Sequence, residues 1–280
     1  MMKKILKRII KMMCIILIFI TVAAIYITFI ERELLVVKRH DITINKDGKD
    51  TIKIIQFTDT QLGEYYNLKD LERAVNRINK LEADVVVFSG DLMDNASEYD
   101  DLHAVASVLS KIKANIGKYA IYGNHDYGGG AVKYYENIMN EAGFKVLQNE
   151  QDSIKVNGKI INLFGGDDAL MGNHDEKKTI SGIKKEQTNL LIIHEPDLIE
   201  KYKDYPIDLA LSGHSHGGQV YIPFYGPVKK NLLAEKYNRG FYNIDNERKT
   251  KLYVNTGLGN TKVPFRFCTI PEISVFNLKI

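Results

Sequence analysis

Six short polar clusters punctuate this chain: Asp59-Thr60-Gln61, Gly90-Asp91, Gly123-Asn124-His125-Asp126, Gly166-Asp167-Asp168, His194-Glu195 and Gly213-His214-Ser215-His216. Each follows a short apolar run: 54–57, 85–88, 119–122, 160–164, 190–193 and 209–211. Carboxylates and neutral imidazoles are donors that hold hard-to-borderline divalent metals. Two such ions about 3.5–4 Å apart can share a carboxylate, generate hydroxide near neutral pH and clamp the oxygens of an in-line displacement at phosphorus. Asp91 suits the shared position, because it follows a buried-type strand and a glycine that lets the backbone turn tightly. Ligands of open α/β sheets bind outside the carboxyl ends of the strands. Polar clusters at successive strand ends therefore point to one two-metal site assembled from several strands.

The elements that must position these clusters alternate between two periodicities. Strands are predicted at 51–57, 85–88 and 118–122, the second a short apolar run of the fully buried kind. Between them, Leu68, Leu71, Val75, Ile78 and Leu81 recur at helical spacing behind a cap at Asn67. Leu102, Val105, Ala106, Leu109 and Ile112 mark a second helix, and 132–142 a third. Asn157-Gly158 predicts a hairpin over 148–161. An edge strand is expected in two pieces, 34–37 and 41–45, before a turn at 46–48. From Gly217 onward short strands dominate (219–222, 240–244, 251–255, 273–278). This order suggests two packed sheets flanked by helices.

Residues 12–30 are uncharged and follow Lys3, Lys4, Lys7, Arg8 and Lys11. Roughly 17–25 apolar residues span a bilayer as a helix, and flanking Lys/Arg stay cytoplasmic. The reading is an uncleaved, single-pass signal anchor in the cell membrane with the rest of the chain on the extracytoplasmic side. A cleaved signal is the lesser alternative, because 22–24 make a poor cleavage site and the apolar run continues past them. The domains expected are a basic cytoplasmic N-terminus (1–11), the transmembrane anchor (12–30), a linker with an edge strand (31–50) and a catalytic domain (51–280). The net charge of +3 owes everything to the first eleven residues, and no basic stripe interleaved with aromatics follows, so no nucleic-acid partner is expected. Cys14 and Cys268 make neither a disulfide framework nor a zinc motif.

Taken in order, the clusters resemble the signature of the calcineurin-like metallophosphoesterase superfamily. Gly217-Gly218-Gln219-Val220, residues 253–259 and Pro271-Glu272-Ile273 resemble its membrane-associated bacterial phosphodiesterase branch, which includes proteins similar to UDP-2,3-diacylglucosamine pyrophosphohydrolases. The resemblance implies a four-layer α/β sandwich of two mixed β-sheets flanked by helices, plus the N-terminal transmembrane helix. It implies one metal held by Asp59, Gln61, Asp91 and His216, and a second held by Asp91, Asn124, His194 and His214. It assigns His125 to the phosphate and the leaving oxygen, Asn124 to the developing charge, and Asp126 to orienting His125. The reaction implied is hydrolysis of a phosphodiester or pyrophosphate by a metal-activated hydroxide. A phosphomonoesterase, or a tethered metal-binding protein without catalysis, are the alternatives. The substrate could be lipid-linked or a nucleotide sugar. Gln61 stands where the family usually has His. A carboxamide oxygen is neutral and hard, which favours Mn²⁺, with Zn²⁺, Fe or Mg²⁺ as alternatives.

Other residues are read more plainly. His40, His103 and His174 are surface or packing residues, Gly172-Asn173-His174-Asp175 is a solvated loop, and Asp167 and Asp168 are turn residues or supports behind the ligands, with a ligand role as the lesser alternative. His194-Glu195-Pro196 lacks the second His of a zincin helix and carries a helix-breaking Pro, which excludes a metalloprotease. The aromatic segments 221–225 and 265–267 are read as sheet packing, with the wall of an apolar substrate groove as the alternative.

Overall fold

The computed structural model describes residues 2–99 and 102–280, and of Glu98 and His103 only the backbone. Strands β1 (Val36–Thr43), β2 (Thr51–Phe57), β3 (Ala83–Phe88), β4 (Ala114–Ala120) and β5 (Lys145–Val146) lie in the first half. They are followed by β6 (Glu150–Val156), β7 (Lys159–Gly165), β8 (Thr188–Ile192), β9 (Leu209–Ser212), β10 (Tyr221–Ile222), β11 (Gly226–Pro227), β12 (Gly240–Asn243), β13 (Lys251–Val254) and β14 (Glu272–Lys279). Two six-stranded mixed sheets result, ordered β1-β14-β2-β3-β4-β5 and β12-β13-β9-β8-β7-β6, and β10 pairs only with β11. Strands β2, β3 and β4 run parallel, as do β7, β8 and β9. Their carboxyl ends therefore share one edge within each sheet, and the polar clusters follow those ends.

Alternation along the strands builds the layers. In β2, Ile52 and Ile54 join Val85, Val87, Ile161, Leu163, Leu190 and Leu209 in the core between the sheets, whereas Ile55 and Phe57 face the helices. Both faces are buried from Ile54 to Phe57, where three of four residues are apolar. The helices on that outer face are α2 (Leu68–Asn79), α3 (Leu102–Ser110) and α5 (Tyr135–Glu141), separated from α3 by the one-turn α4 (Asn124–Tyr127). Asn67 caps α2, accepting from Lys69 N at 2.9 Å while Asp70 accepts from Asn67 N at 3.0 Å, the reciprocal capping box. The outer face of the second sheet is covered by short pieces, a 3₁₀ segment Pro196–Tyr202 and the one-turn α6 (Glu176–Thr179).

Several elements differ from expectation. The edge strand is one continuous piece, paired in parallel along its whole length with the C-terminal strand β14. The third helix is shortened, because Gly128–Lys133 is wound as 3₁₀ and α5 begins only at Tyr135. The strand expected from residue 219 starts at Tyr221, since Gln219 has a left-handed φ of 56°. The 221–225 segment is no sheet core: Phe224 and Tyr225 stand out in solvent. His40 packs edge-on or stacked against Phe241, Tyr253 and Phe276. His174 is half-buried and bonded to the Asp167 carbonyl and the Tyr202 hydroxyl, so its loop is solvated only in part.

At the N-terminus, α1 (Met2–Ile25) continues as a π turn, Tyr26–Ile30, and a 3₁₀ turn, Glu31–Glu33. Together they make one helix long and apolar enough to cross a membrane, with none of its most apolar stretch buried against the body.

Candidate metal centre

The two inner sheets meet at the shared strand-end edge, where Gln56 Nε2 of β2 reaches the Ser212 carbonyl of β9 at 3.0 Å and His194 Nδ1 donates to the Ser89 carbonyl at 2.7 Å. Here the side chains converge into two buried groups. Ligand-type atoms of Asp59, Asp91 and His216 lie within 4.8 Å of one another, and so do those of Asp91, His194 and His214. Each group could hold a metal ion, and Asp91 belongs to both. His216 Nε2 is 3.4 Å from Asp59 Oδ1, and His194 Nε2 is 3.2 Å from Asp91 Oδ2. Gln61 adjoins the first group through Nε2, 2.7 Å from Asp91 Oδ2.

Three buried ligand-type atoms here make no hydrogen bond among the described residues: Gln61 Oε1, Asn124 Oδ1 and His194 Nε2, the last in ionic contact alone with Asp91 at 3.2 Å. Orphaned buried polar atoms are costly, about 1–3 kcal/mol each. A divalent cation would satisfy all three, so the donor set fits a pair of metal ions. Backbone carbonyls fix the imidazole faces. Ser89 O takes the Nδ1 proton of His194 and Leu232 O, at 2.9 Å, the Nε2 proton of His214. The opposite nitrogen of each ring is thereby left as the lone pair a metal needs.

The backbone is bent to serve these side chains. Asp59, Gln61, Asp91, His214 and His216 all adopt left-handed φ, between 47° and 64°. Such conformations cost roughly 1–3 kcal/mol each for non-glycine residues and cluster at functional sites. Close approach demands the glycines beside them: a Cβ on Gly213 would lie 2.2 Å from Asp59 Oδ2, and one on Gly90 2.6 Å from His194 Nδ1.

Electrostatics follow from burial and mutual charge. Burial pushes the Asp59 carboxyl up to about 6, opposed by the His194 charge and reinforced by that of Asp91. For Asp91, burial is the largest influence and acts upward, but the His194 and His125 charges outweigh it and hold the group well below the usual range. His194 responds in the other sense: burial lowers it, and Asp91 more than restores it, to well above its ordinary value. Burial and the His194 charge drive His214 down to about 4. Burial and Arg266 keep His216 well below its ordinary value. The last two rings thus stay neutral, the form that binds metal.

His125 and Asp126 divide their work differently from the sequence expectation. His125 Nδ1 bonds the Asp94 carbonyl at 2.9 Å and lies 3.3 Å from the Asp94 carboxylate. Asp126 instead accepts the backbone N–H groups of Asp91, Leu92 and Gly123 at 2.8, 2.8 and 2.9 Å. It organises the turn that presents Asp91, and Asp94 orients His125. Asp168 and Asp167 serve loop backbone: Asp168 accepts from Leu170, Met171 and Gly172 N–H groups, and Asp167 from Asn173 N.

Two contributors escaped the sequence reading. Asp94 sits three residues after Asp91, and only its carbonyl-and-carboxylate grip on His125 reveals it. Arg266 is wholly buried, donating to the Thr256, Gly259 and Thr269 carbonyls and to Asn260 Oδ1, with Nη2 3.5 Å from His216 Nδ1. Its one available signal is a cation set between two aromatics, Phe265 and Phe267, in an acid-free stretch.

A fold of two mixed sheets with a carboxylate–imidazole centre at their common edge defines a metallophosphoesterase. Residues 52–218 match the calcineurin-like phosphoesterase family, and the chain belongs to it. It is therefore a phosphoester hydrolase by family. It is 39% identical over 257 residues to YkuE, an uncharacterized metallophosphoesterase of Bacillus subtilis, covering 91% of this chain and 89% of that protein. It is 30% identical to a zebrafish (Danio rerio) transmembrane protein with a metallophosphoesterase domain, covering 81% of this chain but only 53% of that protein. It is 24% identical to the UDP-2,3-diacylglucosamine pyrophosphatase LpxG of Chlamydia muridarum, covering 80% and 82%.

Proposed function

We propose that this chain is a membrane-anchored phosphodiesterase or pyrophosphohydrolase with a dinuclear metal centre. One ion would be held by Asp59, Gln61, Asp91 and His216, and the second by Asp91, Asn124, His194 and His214. The observation that carries this reading is the convergence of Gln61 Oε1, Asn124 Oδ1 and His194 Nε2, none of them hydrogen-bonded, on the two buried groups. When bound, the ions supply Lewis acidity and lower the pKa of water. The neutral oxygen of Gln61 favours Mn²⁺ at the first position.

The chain's own residues do the rest. With Nδ1 committed to Asp94, His125 has Nε2 left to donate a proton to the leaving oxygen. Burial lowers the His125 pKa, but Asp91 and the Asp94 carbonyl raise it beyond its ordinary value, which keeps an acid available near neutrality. The Asn124 amide adds a neutral donor for the charge that develops on phosphorus-bound oxygen. The name of the LpxG relative supports a pyrophosphate or diester in a lipid-linked or nucleotide-sugar substrate. The exposed apolar helix behind five cations supports a single-pass anchor with the body outside the cytoplasm.

The test is turnover of the full chain on bis-p-nitrophenyl phosphate and p-nitrophenyl phosphate after chelation and re-addition of Mn²⁺, Zn²⁺ or Mg²⁺ singly. Diester cleavage restored best by Mn²⁺, and abolished in His125→Ala with metal content unchanged, is the expected result. Faster monoester cleavage would overturn the diester reading, and unchanged turnover in His125→Ala would remove that residue from the chemistry.

A further inference from the structure

Residues 217–234 and 255–271 contain no Asp or Glu but hold Lys229, Lys230, Lys262 and Arg266. The fold knits these two stretches together. Tyr221 N donates to Phe267 O at 2.8 Å, Phe267 N to Gln219 O at 2.9 Å, and Gln219 Nε2 to the Thr261 and Val263 carbonyls. From this base the β10–β11 hairpin projects a tip that no described residue covers. Phe224 is fully exposed at a left-handed φ of 67°, Tyr225 is 78% exposed, and Val228 and Leu232 are exposed beside them. Lys229, Lys230 and Lys262 are exposed as well, Lys230 also reaching the Glu235 carbonyl. A short hairpin has no folding reason to display a Phe and a Tyr at its tip.

What adjoins this rim identifies what it meets. Arg266 N donates to the carbonyl of Ile27, in the last turns of the apolar helix, at 3.2 Å. Arg32 Nη1 reaches the Pro264 carbonyl, and the buried Glu31 carboxylate accepts from Thr269 N at 2.9 Å. The end of the helix is thus docked on the 263–269 loop, which is in turn paired to the hairpin. On its inner side the same rim touches the metal groups, through Arg266 to His216 and through the Leu232 carbonyl to His214.

We propose that hairpin β10–β11 and the adjoining 261–268 loop form a surface that lies in the headgroup region of an anionic bilayer, beside the point where the helix leaves it. The inference rests on the anchor reading given above. Aromatic tips at the interface and cations facing anionic headgroups are how proteins seat themselves on such a surface. The rim is continuous with the anchor, and its charge has one sign.

Because the chain has no Trp, single replacements give unambiguous reporters. Full-length Phe224→Trp, Phe19→Trp and Ile160→Trp would each be reconstituted into vesicles of phosphatidylcholine and phosphatidylglycerol, with and without brominated acyl chains. Ile160 is exposed at the start of β7, at the far end of the sheet from the metal groups. The expected result is severalfold quenching and a blue-shifted emission for Phe224→Trp and Phe19→Trp, and neither for Ile160→Trp. Quenching of Phe19→Trp with a solvent-like, unquenched Phe224→Trp overturns the rim and leaves the anchor standing. No quenching at either position overturns both. The readout needs no turnover, so failure of the proposed catalysis would not imitate either result.

Discussion

Replacing Asp126 by Asn separates two roles that the sequence alone runs together. Asp126 Oδ2 accepts two backbone donors, Asp91 N and Gly123 N, and Oδ1 accepts a third, Leu92 N. The Asn side chain has the same shape but presents an NH₂ in place of one oxygen. Turned either way it leaves at least one buried N–H facing another donor, and it leaves two in the orientation that keeps Leu92 bonded. At about 1–3 kcal/mol for each orphaned buried group, the cost is roughly 1–6 kcal/mol, a large share of the 5–15 kcal/mol typical of a folded domain. The strain falls on the turn carrying Asp91, the residue common to both metal groups. The expected outcome is a melting temperature lower by several degrees and less divalent metal retained after desalting than by the parent, read by calorimetry and elemental analysis. The alkaline limb of kcat/KM should move to lower pH only slightly, and less than in Asp94→Asn, because Asp126 makes no hydrogen bond to the His125 ring and its charge is the smallest of the named influences that raise the His125 pKa. Full metal retention with a limb displaced further than that of Asp94→Asn would refute this reasoning and restore Asp126 as the residue that orients His125.

The complementary variant, Asp94→Asn, should do the reverse. The Asp94 carboxylate helps raise the His125 pKa, so its loss lowers that pKa, the acid form is lost earlier as pH rises, and the alkaline limb of kcat/KM moves to lower pH with metal content unchanged. Gln61→His should tighten the first ion and shift preference from Mn²⁺ towards Zn²⁺ in competitive titration; an unchanged preference would show that Gln61 is not a ligand. Metal affinity itself should rise with pH, since the metal-free centre favours the protonated form of His194 and an ion must displace that proton. Proton release on Mn²⁺ binding, measured in buffers of different ionisation enthalpy, checks this, and its absence would exclude His194 Nε2 as a donor. Arg266→Leu should cost roughly 3–5 kcal/mol, because three buried carbonyls lose their donor; thermal unfolding that matches the parent would show that water replaces the guanidinium.

The candidate donors were legible because metal chemistry restricts residue type. Asp59, Asp91, His194, His214 and His216 could be named without knowing any distance, since few residues other than carboxylates and imidazoles serve, and each follows a strand-like run. The residues that hold donors in place were not legible, because their partners are backbone atoms. Nothing in the sequence tells whether Asp126 faces an imidazole or the N–H groups of Asp91 and Leu92, more than thirty positions away. Ser89 and Leu232 contribute only carbonyls, which every residue has. Topology had the same limit. The last strand reads as β, but its insertion between β1 and β2, parallel to one and antiparallel to the other, leaves no local trace. The third helix lost its first turn to Gly128–Lys133, where the glycines weaken α-helical winding.

The centre also shows why local propensity and site chemistry must disagree here. Five donor-bearing residues occupy left-handed backbone, a conformation that would favour glycine if only the turn mattered. Glycine has no donor to offer, so the chain places glycine beside the donors instead, at Gly90, Gly123 and Gly213, and accepts the strain at the donors themselves. Neighbouring bonds over-determine that strain: Thr58 Oγ1 donates to Asp59 at 2.7 Å, Asp59 accepts His214 N at 3.1 Å, and Asp91 accepts His125 N at 2.8 Å. At roughly 1–3 kcal/mol per residue, the distortion is comparable with the stability of a whole domain. Such a turn persists because two sheets and their buried core hold its ends. Ions that bind the folded centre and not the unfolded chain then stabilise it further, by about 2.7 kcal/mol at a hundredfold excess over Kd.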